Sequence, residues 1–373
     1  MSLDGGLANA PDSMLIEKPR FPVRAILLHG WLPSPLKKLY YRLKGYRIGR
    51  GVSLGFGSVI LGRDVTVGDH VRIEFLTFIR GHTLRIGAHV QIGAATMLDT
   101  PHLQIGEGTK INEQVFVGGL QFPDSRLVVG RNCQIMQMTF INPTRSIVIG
   151  DDTGIGGDCL IFGHTSWLSQ FEGYPVEFDA IEIGNSVSIA WRVFILPGTR
   201  IADGAVIGAN SLVRGTIPGR CLAVGFPARV VSREPDFPRL VPSEEKAGML
   251  ERVLAELMSF LAAEGFHCHR DGSIFTVTGP SPHGWFRRRR IWRLALHLKP
   301  FVDSDPDLPE ADVVVSLFRI PTGLRARLAQ RPCVWLDLEA KERSERGNDL
   351  AEEAAHHLRR YGVRFFRAKD DTG

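Results

Sequence analysis

An aliphatic residue followed by a small or polar one recurs every six positions through most of the first two thirds of the chain. A six-residue period matches neither the helical repeat of about 3.6 residues nor the two-residue alternation of a simple strand. Each hexapeptide is therefore expected to form one short strand and one corner, so that three of them close a triangular coil. The aliphatic members are Ile48, Leu54, Val67, Ile73, Ile79, Ile86, Ile92, Leu98, Ile105, Ile111, Val117, Val129, Ile135, Ile141, Ile149, Ile155, Ile161, Ile183, Ile189, Ile195, Ile201, Ile207 and Val213.

A second inward position is expected four residues after the aliphatic one, where the chain places small or branched residues. Gly, Asn and Asp fall near the corners, where positive φ angles carry the least steric cost for these residues. The phase slips by one residue between Ile79 and Ile86, and again between Leu98 and Ile105, which predicts corner insertions. The residues predicted at the second inward position are Val71, Thr77, Val90, Thr96, Thr109, Val115, Val187, Val193 and Thr199.

The largest interruption lies between Ile161 and Ile183 and is four residues longer than one regular coil. It contains several aromatic residues, among them Trp167 and Phe171. We therefore expect this segment to leave the prism as an apolar loop.

Residues 21–47, ahead of the repeat, read as two short amphipathic helices broken by Pro33 and Pro35. A helical segment at this place is expected to cap the first coil and cover its open edge. Basic residues among the leucines and tyrosines also leave open a peripheral association of this cap with a membrane surface. The N-terminal tail and cap are predicted to span residues 1–47, and the β-helix residues 48–232.

The repeat stops after Pro238, and a small α/β domain of unknown role is predicted at residues 243–373. A capped amphipathic helix is expected from Ser243 to Gly265. The strand-like runs are Ile274–Thr278, Ile291–His297, Val313–Leu317, Cys333–Leu338 and Val363–Arg367, with a helix near Asp349–Tyr361. Glu339, Lys341 and Asp312 also match the loose metal-binding pattern of restriction-type nucleases, but a solvated strand end is the favoured interpretation.

Composition agrees with a soluble chain that turns often. It has 40 glycines but only 5 tyrosines, and hydrophobic residues make up 44% of it. The 5 cysteines are scattered and form no CxxC pair, and the first residues, MSLDGGLANAPDSM, lack the features of a signal peptide, so a cytoplasmic location is expected. The net charge of +5 includes a basic run at Arg287–Arg290, which is too weak a pattern to predict a nucleic-acid partner.

One stretch carries a specific resemblance. From Ile183 the chain reads IGNSVSIAWRVFILPGTRIADGAVIGANSLVRGTIPGRCLAVGFPARVV and closes with a G-x-P-A-R-V element at Gly225–Val230. It resembles the terminal signature of the hexapeptide-repeat acyltransferases, which include galactoside, maltose, serine and polysaccharide O-acetyltransferases. The resemblance covers roughly residues 45–232. It implies a mainly β fold, a left-handed parallel β-helix, that works as a homotrimer and moves an acyl group from acetyl-CoA, or another acyl-CoA, to an acceptor without a metal.

The resemblance also implies a catalytic residue. In the galactoside type the catalytic histidine follows a glycine at a fixed distance before the signature, and Gly163-His164 falls at that spacing. A histidine there can take the proton of an acceptor hydroxyl and return it to the CoA sulfur, so that no acyl-enzyme forms. Asp158, Asp179 or a backbone carbonyl are the candidates for orienting the imidazole of His164.

For coenzyme A, the resemblance implies a groove between adjacent prisms. Trp191 and Ala209 match positions that contact the pantetheine, and Arg214 and Arg229 match the cations near the 3′-phosphate, with Arg220 as a weaker candidate. Small residues let a slim chain approach backbone amides, and arginine forks suit phosphate.

Three positions depart from the family. Phe162 stands where many polysaccharide acetyltransferases carry an acidic residue, and Met136 lies near the position of an acceptor-facing asparagine. Trp191 replaces a serine that helps to hold the oxyanion, which leaves that role to its backbone N–H.

A saccharide hydroxyl in cell-envelope polysaccharide or glycan-precursor synthesis is the expected acceptor, and an amine acceptor or a longer acyl chain stays open. One alternative is a non-catalytic β-helix scaffold. Another is a metalloenzyme of the γ-carbonic-anhydrase type, which needs three converging histidines. The irregular spacing of His82, His89 and His102 disfavours it.

Overall fold

The structure is a computed structural model that describes residues 23–280, 289–301 and 310–368. The chain divides into two compact units: the first reaches to Arg239 and the second begins at Leu240. The predicted tail before residue 23 and half of the basic run at Arg287–Arg290 lie outside the described residues.

The first unit is a left-handed parallel β-helix, as predicted. Each coil contributes one strand to each of three sheets, which form the sides of the prism. The first sheet contains Arg47–Ile48, Asp64–Val67, Thr83–Ile86, His102–Ile105, Arg126–Val129, Ile147–Ile149, Ile181–Ile183, Arg200–Ile201 and Thr216–Ile217. The second contains Ser53–Leu54, Arg72–Ile73, Gln91–Ile92, Lys110–Ile111, Gln134–Ile135, Gly154–Ile155, Ser188–Ile189, Val206–Ile207 and Cys221–Gly225, closed by the antiparallel strand Ala228–Arg233. The third contains Val59–Leu61, Phe78–Arg80, Met97–Asp99, Phe116–Val117, Phe140–Asn142, Leu160–Phe162, Phe194–Ile195 and Leu212–Val213.

The interior of the prism is built from the two predicted inward positions. The parallel register sets each aliphatic residue on its equivalent in the next coil, as Ile111 pairs with Ile135. Burying one such side chain stabilises the fold by about 1.5–3 kcal/mol. Threonine is tolerated at the second position because its hydroxyl donates to a carbonyl of the following coil: Thr96 Oγ1 lies 3.0 Å from the Asn112 oxygen.

The corners differ in part from the sequence prediction. Several have positive φ at residues other than Gly, Asn or Asp, including Leu76 at 52° and Met138 at 62°. That conformation costs roughly 1–2 kcal/mol for such residues. Stacking offsets the cost, because corner amides donate to the preceding coil, as the Leu76 N–H does to the Phe56 carbonyl over 2.9 Å.

A helical cap covers the first coil. It consists of an α-helical turn at Val23–Ala25 that continues as a π-helix over Ile26–Gly30, and of the helix Ser34–Leu43. The sequence analysis predicted a break at Pro35, but the second helix runs through this residue. Pro35 is tolerated because it lies in the first turn, where a backbone N–H has no helical partner. The Tyr41 hydroxyl accepts the Ile60 N–H over 2.9 Å, which ties the cap to the coil.

The predicted apolar loop leaves the prism as a short hairpin. His164–Thr165 pairs antiparallel with Glu177–Phe178, and a 3₁₀ turn at Gln170–Glu172 lies between them. Trp167, in the segment between the two strands, is 96% exposed.

The second unit is a mixed sheet with helices on both faces. Its helices are Ser243–Ala263, Thr322–Ala329 and Asp349–Arg360. Its strands, in sheet order, are His267–Asp271, Ile274–Pro280, Arg289–His297, Val313–Ser316, Val334–Asp337, Glu342–Arg343 and Phe366–Arg367. The sequence missed His267–Asp271, Thr322–Ala329 and Glu342–Arg343.

The nuclease-like residues of this unit are engaged in backbone contacts. Glu339 accepts the Arg319 N–H over 2.9 Å, and Asp312 accepts the Arg293 N–H over 2.8 Å. Across the described ranges, no cluster of three or more His, Cys, Asp or Glu side chains is arranged to hold a metal. Within the same ranges, no helix has both the length and the apolar character needed to cross a bilayer.

Candidate active site

His164 lies where a strand of the third sheet ends and the hairpin begins. Gly163 makes this exit possible. Its N–H donates to the Asn142 carbonyl over 2.9 Å, and a Cβ at this position would approach the Arg145 nitrogen to 3.1 Å. The glycine therefore allows the chain to turn outward directly against the preceding coil, and it sets His164 on the edge between the third and first sheets.

Among the residues that the structure describes, the imidazole of His164 has one polar contact and two aromatic neighbours. Its Nδ1 lies 3.0 Å from Thr144 Oγ1. The ring stacks on Phe178, with centroids 6.0 Å apart and an interplanar angle of 9°, and Phe162 lies 6.3 Å away. Burial among these groups lowers the pKa of His164 below its usual value of 6.5, because it disfavours the charged imidazolium. The ring is therefore neutral over a wider pH range than a solvated histidine.

The two aspartates considered from the sequence bond to groups other than the His164 ring. Asp158 accepts from Arg192 Nε over 3.1 Å, and Asp179 accepts the N–H of the following residue, Ala180, over 2.7 Å. Thr144 takes their place, and sequence reasoning missed it. A signal existed in the repeat: Ile141 pairs with Ile161, so the same step of 20 residues places Thr144 beside His164.

Trp191 and Ala209 share the edge between the second and third sheets, on consecutive coils. The Asn210 N–H donates to the Trp191 carbonyl over 3.1 Å, which fixes the two coils to each other. The indole lies across Gly157, where a Cβ would approach the ring to 2.5 Å. Trp191 is 46% exposed, so this edge presents a half-open aromatic surface beside a small side chain.

Arg214 and Arg229 lie elsewhere. Arg214 is two coils beyond His164 on the same edge, and it forms an ion pair with Glu177 of the hairpin. Arg229 is exposed on the closing antiparallel strand of the second sheet. Arg220 forms an ion pair with Glu234.

Within one chain, the predicted site residues are therefore divided between two edges of the prism. His164 and Arg214 lie on one edge, and Trp191 and Ala209 on the other, with the third sheet between them. Most outer positions of this sheet are apolar, with Arg80, Asp99 and Asn142 as exceptions, whereas the outer positions of the first and second sheets are mostly polar. A ladder of phenylalanine rings crosses it, with centroid distances of 5.1–5.5 Å between Phe116, Phe140, Phe162 and Phe194. The sequence analysis did not identify this ladder, although its members directly precede or follow an inward residue on each third strand.

A further group of side chains extends from Phe178. The Phe122 ring meets Phe178 edge-on at 5.5 Å, and the Arg145 guanidinium lies over Phe122 at 4.4 Å. Arg145 also donates to Asp124 over 2.9 Å. Aromatic and ionic side chains thus lie together on one side of His164.

No family model matches the chain, but several known proteins are similar to part of it. The putative lipopolysaccharide biosynthesis O-acetyl transferase WbbJ of Escherichia coli (strain K12) is 34% identical over 113 residues, which are 27% of this chain and 58% of that protein. The putative acetyltransferase YvoF of Bacillus subtilis (strain 168) is 31% identical over 123 residues, which are 32% of this chain and 69% of that protein. A solved UDP-N-acetylglucosamine acyltransferase is 19% identical, with a TM-score of 0.36 over 57% of this chain and 79% of that one.

The match to WbbJ spans less than two thirds of that relative, whereas the match to YvoF exceeds two thirds of its length. The hexapeptide coil and the terminal signature fall in the first unit of the chain. On this basis, the chain belongs to the hexapeptide-repeat acyltransferase family.

Proposed function

We propose that the protein is an acetyl-CoA-dependent O-acetyltransferase that acts on a saccharide hydroxyl in the synthesis of envelope polysaccharide or its precursors, in the cytoplasm. The observation that carries the proposal is the placement of His164. Its imidazole is half-buried at an edge of the prism and bonds through Nδ1 to Thr144. Burial lowers its pKa, so the ring is neutral near pH 7 and can accept a proton, as a general base must.

In the reaction, His164 Nε2 takes the proton of the acceptor hydroxyl as the oxygen bonds to the thioester carbonyl carbon. The carbon–sulfur bond then breaks, and the imidazolium returns the same proton to the sulfur. The products are an ester and the free thiol of CoA, so the transfer is direct and needs no metal. The backbone N–H of Trp191 has no hydrogen-bond partner within the described residues, and it is the proposed donor to the developing oxyanion.

Coenzyme A fits the edge that carries Trp191 and Ala209. The exposed indole offers an apolar surface, and the methyl group of Ala209 leaves room for a slim chain. Arg229 is exposed and available to a phosphate, whereas Arg214 must first exchange Glu177 for it. Arg214 is therefore the weaker of the two proposed phosphate contacts.

A homotrimer is proposed because one chain alone keeps the base and the CoA edge apart. The apolar outer face of the third sheet, with its phenylalanine ladder, suits contact with a second copy. Such a contact would set Trp191 and Ala209 of one subunit against His164 of the next. Trp167 and Phe171 extend from the hairpin and are almost completely exposed in the single chain, which also favours a partner surface there.

The acceptor is proposed to bind beside Phe178. Phe178 and Phe122 offer ring faces to the apolar side of a sugar, and Arg145 and Asp124 can bond to its hydroxyl groups. The name of WbbJ, which refers to lipopolysaccharide biosynthesis, supports a saccharide over other acceptors.

The test is acetyl transfer by the full chain. Purified protein is mixed with acetyl-CoA and a panel of saccharides and nucleotide sugars, and both free thiol and acetylated product are measured. The His164→Asn variant should lower kcat by about 10²–10⁴-fold, the usual contribution of a general base. His70→Asn is the matched control: it lies on a corner with φ 55°, which asparagine adopts readily, and it should retain full activity.

For the active chain, kcat should fall as the pH drops through a value below 6.5, since the lowered pKa keeps the base neutral to a lower pH. Near-normal turnover by His164→Asn would remove the base assignment. A chain that releases no thiol with any acceptor, and binds no CoA, would favour the scaffold alternative.

A further inference from the structure

The hydrogen bonds behind His164 determine where its ring proton lies. Thr144 has a single hydroxyl hydrogen, and it donates this hydrogen to Asn142 Oδ1 over 2.7 Å. The same oxygen lies 3.0 Å from His164 Nδ1, so the hydrogen of that second bond must come from the ring. The neutral imidazole is then protonated at Nδ1, and the lone pair is on Nε2.

We propose that Thr144 and Asn142 are positioning residues that fix His164 in the Nδ1–H tautomer and direct the basic Nε2 toward the acceptor. This inference rests on the proposed function for its catalytic consequence, although the tautomer itself is a property of the resting protein. It replaces the carboxylate that often orients a catalytic histidine with a neutral pair of side chains.

The pair is rigid enough for this role. Thr144 has no exposed surface, and its carbonyl accepts the Ser125 hydroxyl over 2.6 Å. Asn142 is 4% exposed, and its amide is pressed against Gly119, where a Cβ would lie 2.2 Å from Oδ1. The Asn142 carbonyl also accepts the Gly163 N–H, so this residue holds Thr144 through its side chain and the backbone ahead of His164 through its carbonyl.

The absence of charge in this pair has a chemical consequence. A carboxylate behind the imidazole would stabilise the imidazolium and raise the pKa of the histidine. A hydroxyl and an amide orient the ring without stabilising the imidazolium. Burial therefore lowers the pKa of His164, and no neighbouring carboxylate in the described part of the chain opposes it. The arrangement therefore favours a base that remains neutral in mildly acidic conditions.

The direct test is the tautomer. Solid-state ¹⁵N spectra of the full chain labelled at histidine distinguish a protonated from an unprotonated ring nitrogen, and the His164→Asn variant identifies the signal. The expected result for the wild-type chain is a proton on Nδ1, which Thr144→Ser preserves and Thr144→Val loses. A wild-type ring protonated at Nε2 overturns the proposal, because the Asn142 amide would then be donating to Thr144.

Kinetics test the consequence. Thr144→Val, close in shape to threonine, should lower kcat by about 10- to 100-fold with an unchanged KM for acetyl-CoA, and Thr144→Ser should restore most of the rate. Asn142→Asp places a carboxylate behind the hydroxyl and should shift the acidic limb of the pH profile upward. Full activity in Thr144→Val, or an unshifted profile in Asn142→Asp, overturns the positioning role. A chain with the Nδ1–H tautomer but no acetyl transfer overturns the proposed function and, with it, the catalytic part of this inference.

Discussion

Lys37 joins the N-terminal cap to the first coil and should make the stability of the β-helix depend on pH. Its side chain has no exposed surface, and Nζ donates to the carbonyls of Gly55 and Ser58 over 2.6 and 3.1 Å. Burial lowers the pKa of Lys37 from 10.5 to about 8. The native state therefore binds this proton less tightly than the unfolded chain does.

The sign of the effect follows from these two values. Below pH 8 both states carry the proton, and the native state bears the full cost of a buried charge. As the pH rises above 8 the native state loses the proton first, and stability increases until the unfolded chain also titrates near 10.5. With these two pKa values, the gain in stability between pH 7 and 9.5 is about 2 kcal/mol.

The Lys37→Met variant keeps the length of the side chain but cannot titrate. Both chains are unfolded with urea at the two pH values, and unfolding is followed by hydrogen-exchange mass spectrometry on peptides from the β-helix. This readout reports the free energy of unfolding of the first unit alone. The free-energy difference between wild type and variant should move by about 2 kcal/mol in favour of the wild type from pH 7 to 9.5. The pH dependence that arises from titratable groups common to both chains cancels in this difference.

Lys38→Met is the control for the loss of a lysine from the same helix. A difference between wild type and Lys37→Met that stays constant within about 0.5 kcal/mol would refute the reasoning. It would mean that the carbonyl acceptors stabilise the ammonium as well as water does.

Two further predictions concern the site and the cap. Gly119→Ala introduces a Cβ 2.2 Å from Asn142 Oδ1, at a residue with φ 145°. Displacement of the Asn142 amide should lower kcat in steady-state kinetics, and the strain should destabilise the first unit by about 1–3 kcal/mol in urea unfolding. An unchanged kcat would contradict this prediction. The cap exposes Leu28 and Leu43 beside basic residues, and we propose that it contacts a membrane surface peripherally. The wild-type chain should float with anionic vesicles in a density gradient, and the Leu28→Ser/Leu43→Ser double variant should not. A wild-type chain that does not float with the vesicles would contradict this prediction.

The repeat made the prism predictable because each coil packs on the next with the same register. An inward residue such as Ile111 meets its equivalent Ile135 through local periodicity alone, without knowledge of any distant contact. The hairpin was predictable for a related reason: its aromatic residues have no inward position to occupy. The strands of the second unit were harder to predict from the sequence. A strand as short as Glu342–Arg343 is defined by its pairing with distant residues, here Phe366–Arg367.

The sequence also marked His164, through its place before the terminal signature, but the tertiary structure decided its surroundings. The repeat, with its step of 20 residues, places Thr144 beside His164, but only the tertiary structure shows that the Thr144 hydroxyl lies 3.0 Å from the Nδ1 atom of the ring. Lys37 shows the same limit, since no sequence pattern predicts a fully buried lysine held by backbone carbonyls. A periodic pattern determines which residues stack on each other and which side of a strand faces inward, whereas a hydrogen bond between two side chains depends on their rotamers, which are set by packing.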